Sequence, residues 1–305
     1  MDFRRSEFDV TNRINTTDPV CVKLEVVRIF RGLHDDREPA AIARGIDDVT
    51  RLYRGEFPGY ARCDTEYHDL QHVMEVTLAM ARLLDGYART RGDGPRIDAA
   101  LFELGVICAL LHDCGYIRKL NDTRHRSGAE YTTTHVSRGG RFARDYLPTI
   151  GMAQYAEVAP QILHFTGYER PVASIRLVDP MMRLLGSLLG SADIIAQMSD
   201  RCYLEKCRDR LYPEFVAGGI ARKQTVQGEV VVFASADDLL RKTPSFYRNA
   251  SLRLDNELGA SYQYMQGHFG GPNLYMEAVQ KNIRFAERIN ERSQIVLRRQ
   301  PPSTC

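Results

Sequence analysis

An apolar stretch that ends in adjacent His and Asp residues constrains this chain more than any other feature. Residues 99–116 read AALFELGVICALLHDCGY, so His112 and Asp113 follow directly on an apolar segment long enough for a buried helix. A buried carboxylate is rare unless it is paired or bound to a metal, because burial penalises its charged form. The pattern therefore predicts a cation at the end of a buried helix.

Two further segments can complete the coordination of that cation. His72 lies in YHDLQH (67–72), on the apolar stripe of the helix that follows. Asp193 comes directly after the apolar run MMRLLGSLLGSA, where an unpaired carboxylate would again be costly. Together with His112 and Asp113, these side chains are predicted to hold one divalent metal.

Two more histidines lie between these ligands in the chain. His135 is predicted to lie on a helix face with Gly139, which leaves room beside the imidazole, and His164 follows an apolar pair in QILHFTGY. They can hold a second metal, with Asp113 as the bridging ligand. A set of four imidazoles suits Mn, Fe, Co, Ni or Zn better than Ca or Mg. The expected cofactor is therefore two divalent transition metal ions.

Hydrophobic periodicity predicts helices through most of the chain. The predicted helices cover residues 66–90, 98–113, 127–147 with a capping box at Ser127-x-x-Glu130, 152–166, 178–208, 235–258 with Ser235 as the cap, and 272–297. Only TVQGEVVVFA (225–234) has the pattern of a strand or hairpin. We therefore expect an all-α helical bundle with a minor β element near 225–234. Its expected parts are an N-terminal helical extension (1–60), a metal-binding core (61–205) and a C-terminal helical region packed on the core (206–305).

Charge and composition narrow the class of partner. The formal charge is +2, from 41 basic and 39 acidic side chains, so no global basic field favours nucleic acid. The N-terminus has no apolar signal core, and no run is expected to reach the length of a membrane span. Seven cysteines without framework spacing indicate reduced thiols. These features favour a cytoplasmic protein with no membrane partner. The sequence leaves open whether the protein forms a homodimer.

The metal-ligand pattern resembles the HD-domain superfamily of metal-dependent phosphohydrolases. The superfamily motif, H…HD…D, matches His72, His112-Asp113 and Asp193, and the resemblance covers roughly residues 60–205. It implies a helical bundle whose bound metals promote hydrolysis of phosphoesters. The expected partner is therefore a small phosphoester substrate.

Two subfamilies are similar in part. The stretch Tyr67-His68-Asp69-x-x-His72 resembles the YHNxxH signature of class I cyclic-nucleotide phosphodiesterases, with Asp69 in place of Asn. In those enzymes the first His protonates the leaving oxygen, which implies that role for His68. Their continuation, HDxxHxGxxN, does not occur here, because CGYIRKLND follows the His-Asp pair.

The spacing of His135-x-x-x-Gly139 instead resembles bacterial HD enzymes with two metals, which include cyclic-di-nucleotide hydrolases. Those enzymes often carry an HH pair and a GYP signature, whereas this chain has the single His164 and no GYP. The class of substrate does not follow directly from either resemblance.

Substrate contacts are expected from the loop RKLNDTRHR (118–126), directly after the His-Asp pair. Lys119, Arg124 and Arg126 are the candidates to bind the phosphate, and Lys119 is placed with His68 and Asp113 among the catalytic candidates. Gln197, four residues after Asp193, is a candidate to contact a purine edge.

These expectations together predict a metal-dependent phosphohydrolase, in the first place a phosphodiesterase that acts on a nucleotide or cyclic nucleotide. A metal-bridging hydroxide would attack phosphorus in line. One alternative is a diiron oxygenase similar to myo-inositol oxygenase, which uses similar ligands within the same superfamily. A second alternative is a binding module without catalysis.

Overall fold

The computed structural model describes residues 4–35, 37–226, 228–290 and 295–303. Within these ranges the chain is mostly helical and has one small hairpin, which confirms the predicted all-α class with a minor β element. The α-helices are α1 (Pro19–Arg31), α2 (Ala40–Arg54), α3 (Leu70–Thr90), α4 (Ala99–Leu111), α5 (His135–Tyr146), α6 (Ala159–Leu163), α7 (Pro180–Ser199), α8 (Tyr203–Lys206), α9 (Tyr212–Ala217), α10 (Ala236–Leu252), α11 (Met265–Phe269) and α12 (Leu274–Asn290).

Helix α4 is the centre of the bundle and packs against α2, α3 and α7. Its N-terminus is capped by Asp98, which accepts a hydrogen bond from Leu101 N at 2.8 Å. The segment Ala99–Tyr116 is long and apolar enough to cross a membrane, with a mean hydropathy of 1.4, so the expectation of no such run was wrong. However, 78% of this segment is buried within the fold, as is typical of a core helix.

The β element is an antiparallel hairpin of β1 (Arg222–Thr225) and β2 (Gly228–Val231), in which Arg222 pairs with Val231. It begins three residues before the predicted segment and ends three residues before its end. Every residue of both strands is exposed, so the hairpin projects from the bundle.

Several helix boundaries differ from the prediction, and polar side chains explain the clearest cases. Asp69 caps α3 by accepting a hydrogen bond from His72 N at 2.9 Å, so the helix begins at Leu70 rather than 66. The capping box at Ser127 is present, but it caps a single 3-10 turn, and α5 begins only at His135. The predicted helix 178–208 breaks at Asp200, whose carboxylate accepts from Cys202 N and pairs with Lys206.

The remaining differences concern shorter elements and the chain end. Of the predicted helix 152–166, only Ala159–Leu163 is α-helical. The predicted helix 272–297 is observed as Leu274–Asn290, residues 291–294 lie outside the described ranges, and 295–297 are not helical. Ser235 caps α10 as predicted, and this helix ends at Leu252 in a π-turn, Arg253–Glu257.

A continuous hydrophobic core extends from Val22 in α1 to Ile289 in α12. The division into an extension, a core and a C-terminal region therefore stays a prediction.

Candidate metal centre and adjoining cavity

Donor atoms from three helices meet at one point in the bundle. His72 Nε2 in the first turn of α3 lies 3.2 Å from His112 Nε2 and 3.3 Å from Asp113 Oδ2, both at the end of α4. The same atom lies 3.5 Å from Asp193 Oδ1 in α7. Ligands of one transition metal, each about 2.1 Å from it, are about 3.0–3.4 Å apart. His72, His112 and Asp113 are buried and could hold a metal ion, and Asp193 faces the same point.

The neighbouring groups fix the orientation of these ligands. His112 Nδ1 lies 2.7 Å from Ala109 O, which leaves Nε2 to face the other donors. Gln197 Nε2 donates to Asp193 Oδ1 at 3.3 Å, and Tyr67 Oη donates to Gln197 Oε1 at 3.2 Å. Such outer hydrogen bonds hold metal ligands in place, so Gln197 orients a ligand here.

The two oxygens of Asp113 face imidazoles on opposite sides. Its Oδ2 lies 3.2 Å from His112 Nε2, whereas its Oδ1 lies 3.5 Å from His135 Nε2 at the start of α5. His135 Nδ1 is held by Thr132 O at 2.8 Å. The Asp113 carboxylate therefore lies between the His72–His112 pair and the single imidazole of His135.

Gly115 allows this close approach of α5. A Cβ on Gly115 would lie 1.8 Å from His135 O, so the two backbone segments would have to move apart to remove the clash. The φ of Gly115 is not positive, so this position requires glycine for its lack of a Cβ rather than for a left-handed backbone.

His164 is buried, and its Nδ1 has no hydrogen-bond partner among the described residues. Burial lowers the pKa of His164, and the nearby charge of Arg170 lowers it further. Its distance from Asp113 is not within the range of an ion pair, and it does not line the cavity described below. The role of His164 as a second-metal ligand stays a prediction, supported by the unpartnered Nδ1.

The charges at this point favour a bound cation. Burial raises the pKa of the Asp113 carboxyl, but the neighbouring His112 and His72 imidazoles outweigh it and hold that pKa well below its usual range. Burial lowers the pKa of His72, but hydrogen bonds and charge from Asp113 and Asp193 outweigh it and raise that pKa to about 10. Without a metal, a proton on His72 balances the buried carboxylates. A divalent cation would replace that proton, so the donor set fits a metal.

His68 lies beside the centre for a different reason than the sequence suggested. It precedes the cap of α3 and so lies outside this helix, although the predicted helix 66–90 included it. Its Nδ1 lies 2.6 Å from Glu214 Oε2 of α9, and its ring stacks on Tyr116 at 4.4 Å between centroids. Burial lowers the pKa of His68, but the Glu214 carboxylate outweighs it and raises that pKa above its ordinary value.

A cavity of about 450 Å³ opens onto the metal-ligand cluster. Lys119, Arg124 and Arg126, the predicted phosphate contacts, are exposed and do not line it. The lysines that line the cavity are Lys223 of β1 and Lys242 of α10. Gln197 also lines it, but both ends of its amide are already hydrogen-bonded.

The sequence prediction missed the contribution of residues 203–246. This region provides Glu214, both cavity lysines and most of the apolar lining. It carries no motif, because its side chains reach the site only through long-range packing. Its aromatic residues at 215, 233 and 246 could have indicated a cavity wall, but only by their residue type and not by their spacing.

No protein-family model matches the chain, and no curated protein or solved structure is significantly similar to it. The geometry of the metal centre and its cavity therefore carries the functional argument.

Proposed function

We propose that this chain is an HD-type metal-dependent phosphohydrolase with two metals. The observation that carries the proposal is the position of the Asp113 carboxylate. One of its oxygens faces His72 and His112, and the other faces His135. A carboxylate whose two oxygens face imidazoles on opposite sides is placed to bridge two metals.

In this proposal His72, His112, Asp113 and Asp193 hold the first metal. Asp113 and His135 hold the second, with His164 as a further ligand. When bound, two such cations lower the pKa of a shared water and stabilise charge on phosphoryl oxygens.

The net charge of the centre favours an anionic substrate. Two divalent cations against the carboxylates of Asp113 and Asp193 leave an excess of positive charge. The described residues that line the cavity include no arginine, and its two lysines belong to the hairpin and α10 rather than to the metal-ligand helices, so a phosphoryl group would depend mainly on the metals for its binding. A phosphoester fits this centre because its charge is concentrated on the reacting group.

His68 is the proposed general acid. Its Nδ1 is held by Glu214, so Nε2 is the position from which a proton can pass to the departing oxygen. The bond from phosphorus to that oxygen breaks as water oxygen bonds to phosphorus, and the product alcohol keeps the proton. Glu214 acts as a positioning residue, because it holds the imidazole and stabilises its charged form.

The test is hydrolysis of bis-p-nitrophenyl phosphate after removal of metals and reloading with Mn, Fe, Co, Ni or Zn in turn. Turnover should depend on the added metal, and Asp113→Asn should reduce kcat at least about 1,000-fold because the bridging charge is lost. Asp145→Asn, which changes an exposed carboxylate of α5, is the matched control and should retain activity. Metal-loaded protein that consumes oxygen and hydrolyses no phosphoester would overturn the proposal in favour of an oxygenase.

A further inference from the structure

We propose that the outer part of this cavity binds an apolar group, so that the substrate is a phosphoester of an aryl or alkyl alcohol rather than a nucleotide. This inference rests on the proposed function for the reacting group, but the apolar subsite is argued from its own residues. It replaces the nucleotide expectation with a substrate class that the cavity wall favours.

The apolar wall is formed by side chains from α9, α10 and the segments around the hairpin. Its members are Leu211, Phe215, Ile220, Phe233, Leu239 and Phe246. Phe215 and Phe233 stack with ring centroids 5.7 Å apart, so the two rings lie next to each other in the wall. The wall and the metal ligands line the same cavity, so one small molecule can reach both.

Two of the polar side chains next to this wall are already engaged. Thr243 Oγ1 donates to Leu239 O at 3.3 Å, and Lys242 Nζ donates to Val232 O and to Asp238 Oδ2, each at 2.8 Å. Lys223 is a cavity lysine with no hydrogen-bond or ion-pair partner among the described residues, and it lies on an exposed strand. A single flexible ammonium group does not provide the directional set that a nucleobase edge requires.

Three further polar groups of the lining are also engaged, whereas Thr133 and Tyr168 keep hydroxyls without a hydrogen bond among the described residues. Thr132 Oγ1 donates to Ala129 O at 2.6 Å, and Thr166 Oγ1 donates to Leu163 O at 2.9 Å. The amide of Gln197, the sequence candidate for a purine edge, spans Tyr67 and Asp193. A base bound here would find few free donors and acceptors for its polar edges, which disfavours it, whereas an apolar group gains from burial.

The first experiment compares three p-nitrophenyl phosphodiesters whose second substituent is methyl, phenyl or thymidin-5′-yl. Because the leaving group is the same, differences in kcat/KM report on the retained substituent. The kcat/KM for the phenyl ester should be about 10-fold or more above that for the methyl ester, and it should also be above that for the thymidyl ester. A thymidyl ester hydrolysed as well as or better than the phenyl ester would overturn the apolar subsite.

Direct binding separates this inference from the proposed function. Calorimetry on the metal-loaded protein would compare phenylphosphonate with methylphosphonate, neither of which is hydrolysed. The phenyl compound should bind about 10-fold tighter even if no ester is turned over. Equal affinity would overturn the subsite while leaving phosphohydrolase activity to its own test.

Two variants locate the effect on the wall. Phe233→Ala should weaken the binding of phenylphosphonate about threefold to tenfold and leave the affinity for methylphosphonate unchanged. Phe246→Ala should act in the same direction, and since Phe246 is 40% exposed, the fold does not depend on it. Val226→Ala, at the exposed end of the hairpin, is the control. Equal effects of the wall variants on both phosphonates would contradict the assignment.

Discussion

Glu214 Oε2 lies 2.6 Å from Nδ1 of His68, although 146 residues separate them in the chain. The same carboxylate accepts a hydrogen bond from the backbone N of Tyr67, and Arg210 lies 3.4 Å from Asp69, the cap of α3. The C-terminal region therefore holds the loop that precedes the first metal ligand. Residues after 205 are therefore part of the candidate site and determine how His68 is oriented.

Replacement of Glu214 should expose the role of His68 as an acid. Glu214→Gln keeps the shape of the side chain but removes the charge that raises the pKa of His68. A general acid acts in its protonated form. As pH rises, the variant should therefore lose activity at a lower pH than the wild type does. Hydrolysis of diphenyl phosphate by the variant should be about 10-fold or more slower than by the wild type. Hydrolysis of bis-p-nitrophenyl phosphate, which has a better leaving group, should be slowed less. Full pH–rate profiles for both esters provide the measurement.

The control for this variant is Asp209→Asn, which removes an exposed charge from the preceding turn. Its pH–rate profile should match that of the wild type. If Glu214→Gln slows both esters equally and does not shift the profile, Glu214 has only a structural role.

Substitution at Gly115 should disturb the second set of donors. A Cβ on Gly115 meets His135 O at 1.8 Å, so Gly115→Ala must displace the start of α5. We expect a loss of about 2–4 kcal/mol in the free energy of unfolding, measured by chemical denaturation. Gly271→Ala, at a position with nothing within 4 Å of the added atom, should leave stability close to the wild-type value. Equal stability of the two variants would show that α5 is not packed as described.

The unpartnered nitrogen of His164 leads to a test by metal counting. His164→Ala should reduce the metal content from two ions per chain to about one, because the first-metal ligands remain. The measurement is elemental analysis after dialysis against buffer without chelator. Retention of two ions by the variant would remove His164 from the ligand set.

A buried ion pair predicts how the fold responds to acid. Asp9 Oδ2 lies 2.6 Å from Arg82 Nη2, with both side chains 2% exposed. Burial raises the pKa of Asp9, but Arg82 and backbone donors outweigh it and lower that pKa below its usual value. The stabilisation is therefore complete above about pH 4 and is lost as pH falls through the folded-state pKa.

Asp9→Asn should lower the free energy of unfolding at neutral pH by about 3 kcal/mol, because the buried Arg82 loses its counter-charge. The variant should also lose stability less steeply than the wild type below about pH 4. Asp47→Asn, which breaks the exposed pair with Lys23, is the control and should behave like the wild type. Parallel pH curves for Asp9→Asn and wild type would contradict this account.

The sequence predicted the cluster that could hold a metal because each of its side chains lies on or at the end of an apolar helix. His72, His112 and Asp113 are close to one another as expected, since a buried polar residue on an apolar stripe must meet a partner. The all-α class followed from the same periodicity.

The sequence did not predict the cavity wall or the orientation of His68. Lys119, Arg124 and Arg126 follow the His-Asp pair in the chain, but the loop carries them to the surface. Glu214 and Phe233 reach the site through tertiary packing, which leaves no local pattern. Capping side chains such as Asp69 also moved helix boundaries by a few residues.

The most direct test of the central claim is the metal content of the purified chain, determined by inductively coupled plasma mass spectrometry for wild type, His135→Ala and Asp113→Asn. The two-metal centre predicts about two divalent transition metal ions per wild-type chain, about one in His135→Ala and at most one in Asp113→Asn. Wild-type protein that takes up no metal after loading, or a His135→Ala variant that still holds two ions, would contradict it.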